Sequence, residues 1–112
     1  MKSPITTHVL DTSVGRPAAN VAVRLERIKE DGAELLGSGT TNADGRAAGL
    51  VDGPVAPGRY RITFDTAAYF EGRGASSFFP EVSILFEITD ASQHHHVPLL
   101  LSPFGYSTYR GS

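Results

Sequence analysis

Tyr60-Arg61-Ile62-Thr63-Phe64-Asp65 puts an apolar residue at every second position and a polar one after each. That period of two marks a strand with one buried face, because successive side chains of an extended chain point to opposite sides. The alternation precedes this stretch, where Val21, Val23 and Leu25 interleave with Arg24 and Glu26. It also follows it, where Val82, Ile84, Phe86 and Ile88 oppose Ser83, Glu87 and Thr89. Weaker strand patterns cover Ile5 to Asp11 and Leu99 to Tyr109, the second interrupted by Pro103 and Gly105. The β-branched and aromatic content favours strands throughout. Between them lie turn signals: Asp31-Gly32, then Asn42-Ala43-Asp44-Gly45, a hairpin-like corner with Gly45 at positive φ, then Pro54, Pro57 and Gly58. One short helix is expected over Thr66 to Glu71, capped by Asp65 or Thr66 and ended by Gly72. Short strands separated by turns predict an all-β sandwich rather than alternating βαβ units.

A chain of 112 residues is expected to form a single domain, residues 1–112, with one modest core and little material for a deep private cleft. Ten basic against twelve acidic residues leave a net charge of −2, which gives no footprint for nucleic acid and no polybasic patch for a membrane. Cysteine is absent, so disulfide frameworks, thiolate zinc sites and thiol nucleophiles are excluded. No run of about 18 apolar residues offers a membrane span. The stretch Met1-Lys2-Ser3-Pro4-Ile5-Thr6 lacks the apolar segment of a secretory signal. The expectation is a soluble, cytoplasmic protein.

Four places carry candidate chemistry. In His94-His95-His96, extended backbone turns His94 and His96 to one side and His95 to the other, so two imidazoles converge. A surface histidine run, a zinc pair short of its usual three or four protein ligands, and an acid–base pair are all open from these residues alone. His8, the one remaining histidine, shares a strand face with Thr6 and Leu10. Arg46 follows the Asp44-Gly45 turn, either as a solvated cation or as a planar fork for a carbonyl or urea-like ligand. The last stretch, Tyr106 to Ser112, reads as an edge strand up to Tyr109, which leaves Arg110-Gly111-Ser112 without a structural account. No nucleophile-elbow context surrounds its serines.

Taken together, Thr6-Thr7-His8-Val9-Leu10-Asp11, Asn42-Ala43-Asp44-Gly45-Arg46, His94-His95-His96-Val97-Pro98 with Leu99 to Pro103, and Tyr109-Arg110-Gly111-Ser112 resemble the 5-hydroxyisourate hydrolases, the transthyretin-related enzymes of urate breakdown. The resemblance runs from about Ile5 to Ser112. It implies a transthyretin-like β-sandwich of two four-stranded sheets with one short α-helix. It also implies a homotetramer, a dimer of dimers with active sites where dimers meet. Carried over position by position, the catalytic residues are His8, Arg46, His96 and Ser112, and the substrate-binding residues are His8, Arg46, His94 and Tyr109. No metal and no cofactor are implied. His95, where relatives often carry an aromatic residue, is expected to face away from the site and to matter little.

The implied substrate, 5-hydroxyisourate, is a flat, urea-rich bicycle with a strained acyl–nitrogen bond. Opening it requires an activated water, a stabilised oxyanion and a protonated leaving nitrogen. His96 or His8 would deprotonate the water while the other supports or reprotonates. Arg46 would hold the carbonyl oxygens, and Tyr109 and Ser112 would shape the pocket. The competing class is a non-catalytic transthyretin-like carrier that binds a small aromatic ligand in a tetramer channel. Such a carrier has no evident reason to bring His8, Arg46, His94, His96 and Tyr109 together.

Overall fold

Local alternation becomes strands wherever the sequence carries it. In chain order the elements are β1 (Ile5–Asp11), β2 (Arg16–Pro17), β3 (Ala22–Lys29), β4 (Gly32–Thr40), β5 (Arg46–Ala47), β6 (Gly58–Phe64), α1 (Thr66–Gly72), β7 (Val82–Ile88), β8 (His95–Ser102) and β9 (Gly105–Thr108). This computed structural model describes residues 3–112. Met1 and Lys2, part of the expected domain and of the stretch read as no secretory signal, lie outside the described residues.

Two sheets form. One runs β2-β1-β8-β9, with the two-residue β5 also pairing β1, and the other runs β4-β3-β6-β7. The β1–β8 pairing is parallel and every other pairing is antiparallel. This is the expected sandwich, with β5 added beside β1. The interruption foreseen at Pro103 and Gly105 is a hairpin turn, since Ser102 pairs with Gly105 across Pro103-Phe104. The strand before that turn begins at His95, earlier than the apolar run alone suggested.

The core lies between the sheets. Ile5 and Val9 of β1 and Leu99 and Leu101 of β8 pack in one cluster with Leu25 of β3 and Ile62 and Phe64 of β6. Helix α1 is short, and no helix among the described residues is long and apolar enough to cross a membrane. Its N-cap is Asp65, whose carboxylate accepts from the Ala68 N–H at 3.2 Å. Gly72 is its last helical residue, and the backbone reverses two residues later at Gly74.

One buried polar contact fastens this helix to the first sheet. Asp11, at the end of β1, is fully buried and accepts from the Tyr69 hydroxyl of α1 at 2.7 Å. It also accepts from the Ser13 N–H at 3.0 Å and from the Ser13 hydroxyl, and Arg73 lies 3.9 Å away. Burial alone would raise the Asp11 pKa. The bonds from Ser13 and Tyr69, with the Arg73 charge, outweigh it and hold the carboxyl below its ordinary 3.8. Burial and the same carboxylate push Tyr69 up to about 12. A carboxyl whose pKa is lowered on folding stabilises the fold above its unfolded pKa, and that contribution fades as pH falls through the folded value. Tyr69→Phe removes one bond to the buried carboxylate. It is expected to cost about 1.5–3 kcal/mol in urea unfolding followed by circular dichroism and to move the acid-unfolding midpoint to higher pH.

Candidate active site

The parallel register of β1 and β8 sets Thr6 beside His96 and His8 beside Pro98. Alternation turns Thr6, His8 and His96 away from the core, while Ile5, Thr7, Val9, His95 and Val97 point between the sheets. The two adjacent threonines therefore have different partners. Thr7 donates to the Val97 carbonyl oxygen at 2.6 Å inside the sandwich. Thr6, outside it, has its hydroxyl oxygen 2.8 Å from His94 Nε2 and 2.8 Å from His96 Nδ1. The two imidazoles foreseen on one face converge on a hydroxyl.

Arg46 reaches the same face by way of its turn. The Asn42 side-chain oxygen accepts from the N–H groups of Asp44 at 2.9 Å and Arg46 at 3.1 Å, an arrangement typical of asparagine in tight turns. Gly45 has φ +76°, and its carbonyl accepts from the Val9 N–H at 2.8 Å. A Cβ there would overlap the Val9 carbonyl oxygen and crowd the His8 ring. The bare backbone of the turn thus lies against β1, and β5 pairs Arg46 with His8. Arg46 makes no ion pair among the described residues.

The C-terminal segment closes the third side. The Gly111 N–H donates to the His96 carbonyl oxygen at 2.8 Å. A Cβ on Gly111 would sit 2.5 Å from His96 Cδ2 and 3.2 Å from Cγ, so the imidazole packs where only glycine leaves room. The Gly in Arg110-Gly111-Ser112, without a structural account in the sequence, has one here. Thr6, Arg46, His94, His96, Tyr109, Gly111 and Ser112 line an open cleft of about 370 Å³. His8 does not line it and stands at its margin beside Arg46.

Burial lowers the His96 pKa from its ordinary 6.5, and the nearby charges of Arg46, His8 and His94 lower it further. The ring is therefore neutral at neutral pH, as a base must be. Among the described residues, no three His, Asp or Glu side chains converge where a metal ion could be held. A neutral imidazole and an unpaired guanidinium on one polar cleft can take a proton at one point and stabilise negative charge at another.

Sequence reasoning missed two participants. Thr6 and Gly111 act through contacts with His96, some ninety and fifteen positions away in the chain. His95 turns away from the Thr6 face, as alternation predicts, and into the sandwich, where it is 5% exposed. Its Nδ1 has no hydrogen-bond partner among the described residues. Burial, with Arg110 next, lowers its pKa and favours the neutral ring.

The description HIUase/Transthyretin family matches residues 5–111. The chain belongs to this family. Among relatives, a 5-hydroxyisourate hydrolase of Mus musculus is 48% identical over 113 residues, which cover 98% of this chain and 96% of that one. The solved structure of Klebsiella pneumoniae 5-hydroxyisourate hydrolase is 44% identical with a TM-score of 0.85, over 96% of this chain and 98% of its own. Sea bream transthyretin in complex with thyroxine is 32% identical with a TM-score of 0.89, over 97% of this chain and 95% of its own. The backbone superposes on a thyroxine-bound transthyretin as well as on a hydrolase, so fold similarity does not separate the two within the HIUase/Transthyretin family.

Two measurements probe the cleft directly. Gly111→Ala is expected to force the His96 ring aside while the fold persists, seen as a shifted His96 ring resonance with an unchanged circular dichroism melt. Titrating the wild-type His96 resonance should give a midpoint below 6.5, the ordinary value. Arg46→Ala should raise the midpoint toward 6.5 without reaching it, because burial, the larger cause, remains.

Proposed function

We propose that this protein is a cytoplasmic homotetramer, each chain one catalytic domain, that hydrolyses 5-hydroxyisourate to 2-oxo-4-hydroxy-4-carboxy-5-ureidoimidazoline in urate degradation. The observation that carries the reading is the cleft that gathers a neutral His96, an unpaired Arg46 and the Tyr109–Ser112 segment on one face. Curated relatives named for this hydrolysis support it. The carrier reading has the fold in its favour, yet it leaves the imidazole pair and the free guanidinium without a task.

The chemistry follows from the groups present. His96 or His8 takes a proton from water, and the hydroxide so formed attacks the strained acyl carbon. Negative charge then builds on the carbonyl oxygen, where Arg46 holds it with a bidentate fork. The acyl–nitrogen bond breaks, and the histidine that is then protonated returns the proton to the leaving nitrogen. His94 and Tyr109 bind the flat ring, and Ser112 completes the catalytic set with a hydroxyl at the end of the cleft. The leaving nitrogen is activated by the ring itself, and the reading calls for no metal and no cofactor.

The tetramer is supported by surface left over from the monomer. Strands β7 and β9 end their sheets with open edges, and unpaired edges invite pairing with another copy. Phe78 and Phe104 are 70% and 71% exposed at the β9 end of the sandwich, where Phe78 N–H bonds the Pro103 carbonyl at 2.8 Å and Phe79 packs on Tyr106 at 5.2 Å. Exposed apolar surface of this kind marks contact sites.

The test is ultraviolet monitoring of freshly generated 5-hydroxyisourate. Micromolar protein is expected to speed its decay, and an unchanged decay would remove the assignment. His8→Ala, Arg46→Ala and His96→Ala are each expected to lower turnover by roughly 10² or more while the protein still folds. Light scattering on the active sample should read four chains, and a fully active monomer would overturn the assembly.

A further inference from the structure

The hydroxyl of Thr6 stands between two imidazole nitrogens, 2.8 Å from each. It has one proton to give and two lone pairs to receive with. A hydroxyl in that position cannot treat both rings alike, and its choice sets which nitrogen of His96 carries the proton. If Thr6 donates to His96 Nδ1, the ring proton sits on Nε2, and the nitrogen left for the cleft cannot accept a proton from water. If Thr6 instead donates to His94 Nε2, it accepts from His96 Nδ1–H, and His96 Nε2 keeps its lone pair.

Two observations select the second arrangement. His94 is exposed, so with its Nε2 accepting from Thr6, its own Nδ1–H donates to solvent without loss. His96 is half-buried and shares its cleft with Arg46. The positive guanidinium favours the lone-pair end of the neutral ring toward the cleft and the N–H end turned away. No protein group among the described residues bonds His96 Nε2, which leaves that atom free for water.

We infer that Thr6 is a positioning residue: its hydroxyl accepts from His96 Nδ1–H and donates to His94 Nε2, holding His96 in the tautomer whose Nε2 can act as the base. The inference deepens the proposed hydrolysis and rests on it for its kinetic consequence. It also names His96, rather than His8, as the group that takes the proton from water. His94 then has a second task, as the acceptor that fixes the direction of the Thr6 hydroxyl.

The test separates structure from activity. In nitrogen-15 spectra that correlate ring nitrogens with ring protons, wild-type His96 is expected to carry its proton on Nδ1, and Thr6→Ser should keep that pattern. Thr6→Val, of nearly the same shape, should move the proton to Nε2, the form free imidazole side chains prefer in water. With 5-hydroxyisourate, Thr6→Val should lower kcat about 10²-fold with KM little changed, and Thr6→Ser should restore most of the rate. A wild-type His96 protonated on Nε2, or a Thr6→Val protein that keeps the wild-type pattern and rate, overturns the inference. The spectra need no substrate. The expected tautomers in a protein that leaves 5-hydroxyisourate untouched would sustain the positioning role and remove the hydrolase reading instead.

Discussion

The parallel register of β1 on β8, from Ile5 beside His95 to Asp11 beside Leu101, is the constraint on which the rest depends. A slip of one residue would exchange the faces of β1, driving Thr6, His8 and Leu10 into the core and Ile5 and Val9 out of it. An unpartnered histidine would then be buried, at a cost of several kcal/mol. A slip of two would keep the faces but set Thr6 beside Pro98 or His94 instead of His96. Two buried bonds oppose such slips. Thr7 is tied to the Val97 carbonyl, and Asp11 is held at the far end by Tyr69 of the helix. A contact on the core side thus fixes the geometry of the opposite face, which is why the helix matters to a cleft it does not touch.

What the sequence made legible was whatever has a local cause. Alternation is a property of consecutive residues, so β1, β3, β6 and β7 could be read from it. The Asn42–Gly45 corner could be read as well, because its side-chain and backbone bonds close within five residues. The shared face of His94 and His96 followed from the same rule. Register has no local signature: the sequence placed Thr6 and His8 on one face but gave no means of setting Thr6, rather than His8, against His96. His95 followed from alternation too: it lies opposite its neighbours, and the far side of a strand in a sandwich is the interior. Gly111 was silent, since its requirement comes from a ring fifteen residues earlier in the chain.

Electrostatics and packing converge on His96. Its ring is bounded on one side by the Thr6 hydroxyl and on another by the bare backbone of Gly111, and Arg46 presents a charge that no carboxylate among the described residues pairs with. An ion pair would have quietened that guanidinium, and a bulkier residue at position 111 would have taken the ring's space. Glycine and the absent carboxylate are therefore as much a part of the site as the imidazole. This also explains how the Arg110-Gly111-Ser112 ending, meaningless as a frayed strand, is continuous with the chemistry: the segment is held by a backbone bond to the residue it serves.

The cleft is nevertheless open. Its walls come from the outer face of one sheet, one turn and one terminal segment, and no other element among the described residues lines it. Stabilising an oxyanion by Arg46 is worth most where water is excluded, because the same charge acts far more weakly at the dielectric constant of bulk solvent. A monomer with this geometry would hold the proposed catalytic groups together and still leave them largely screened. A second copy laid against the β1–β8 face would supply the missing wall without a longer chain. In the proposed tetramer, assembly and catalysis are then one requirement.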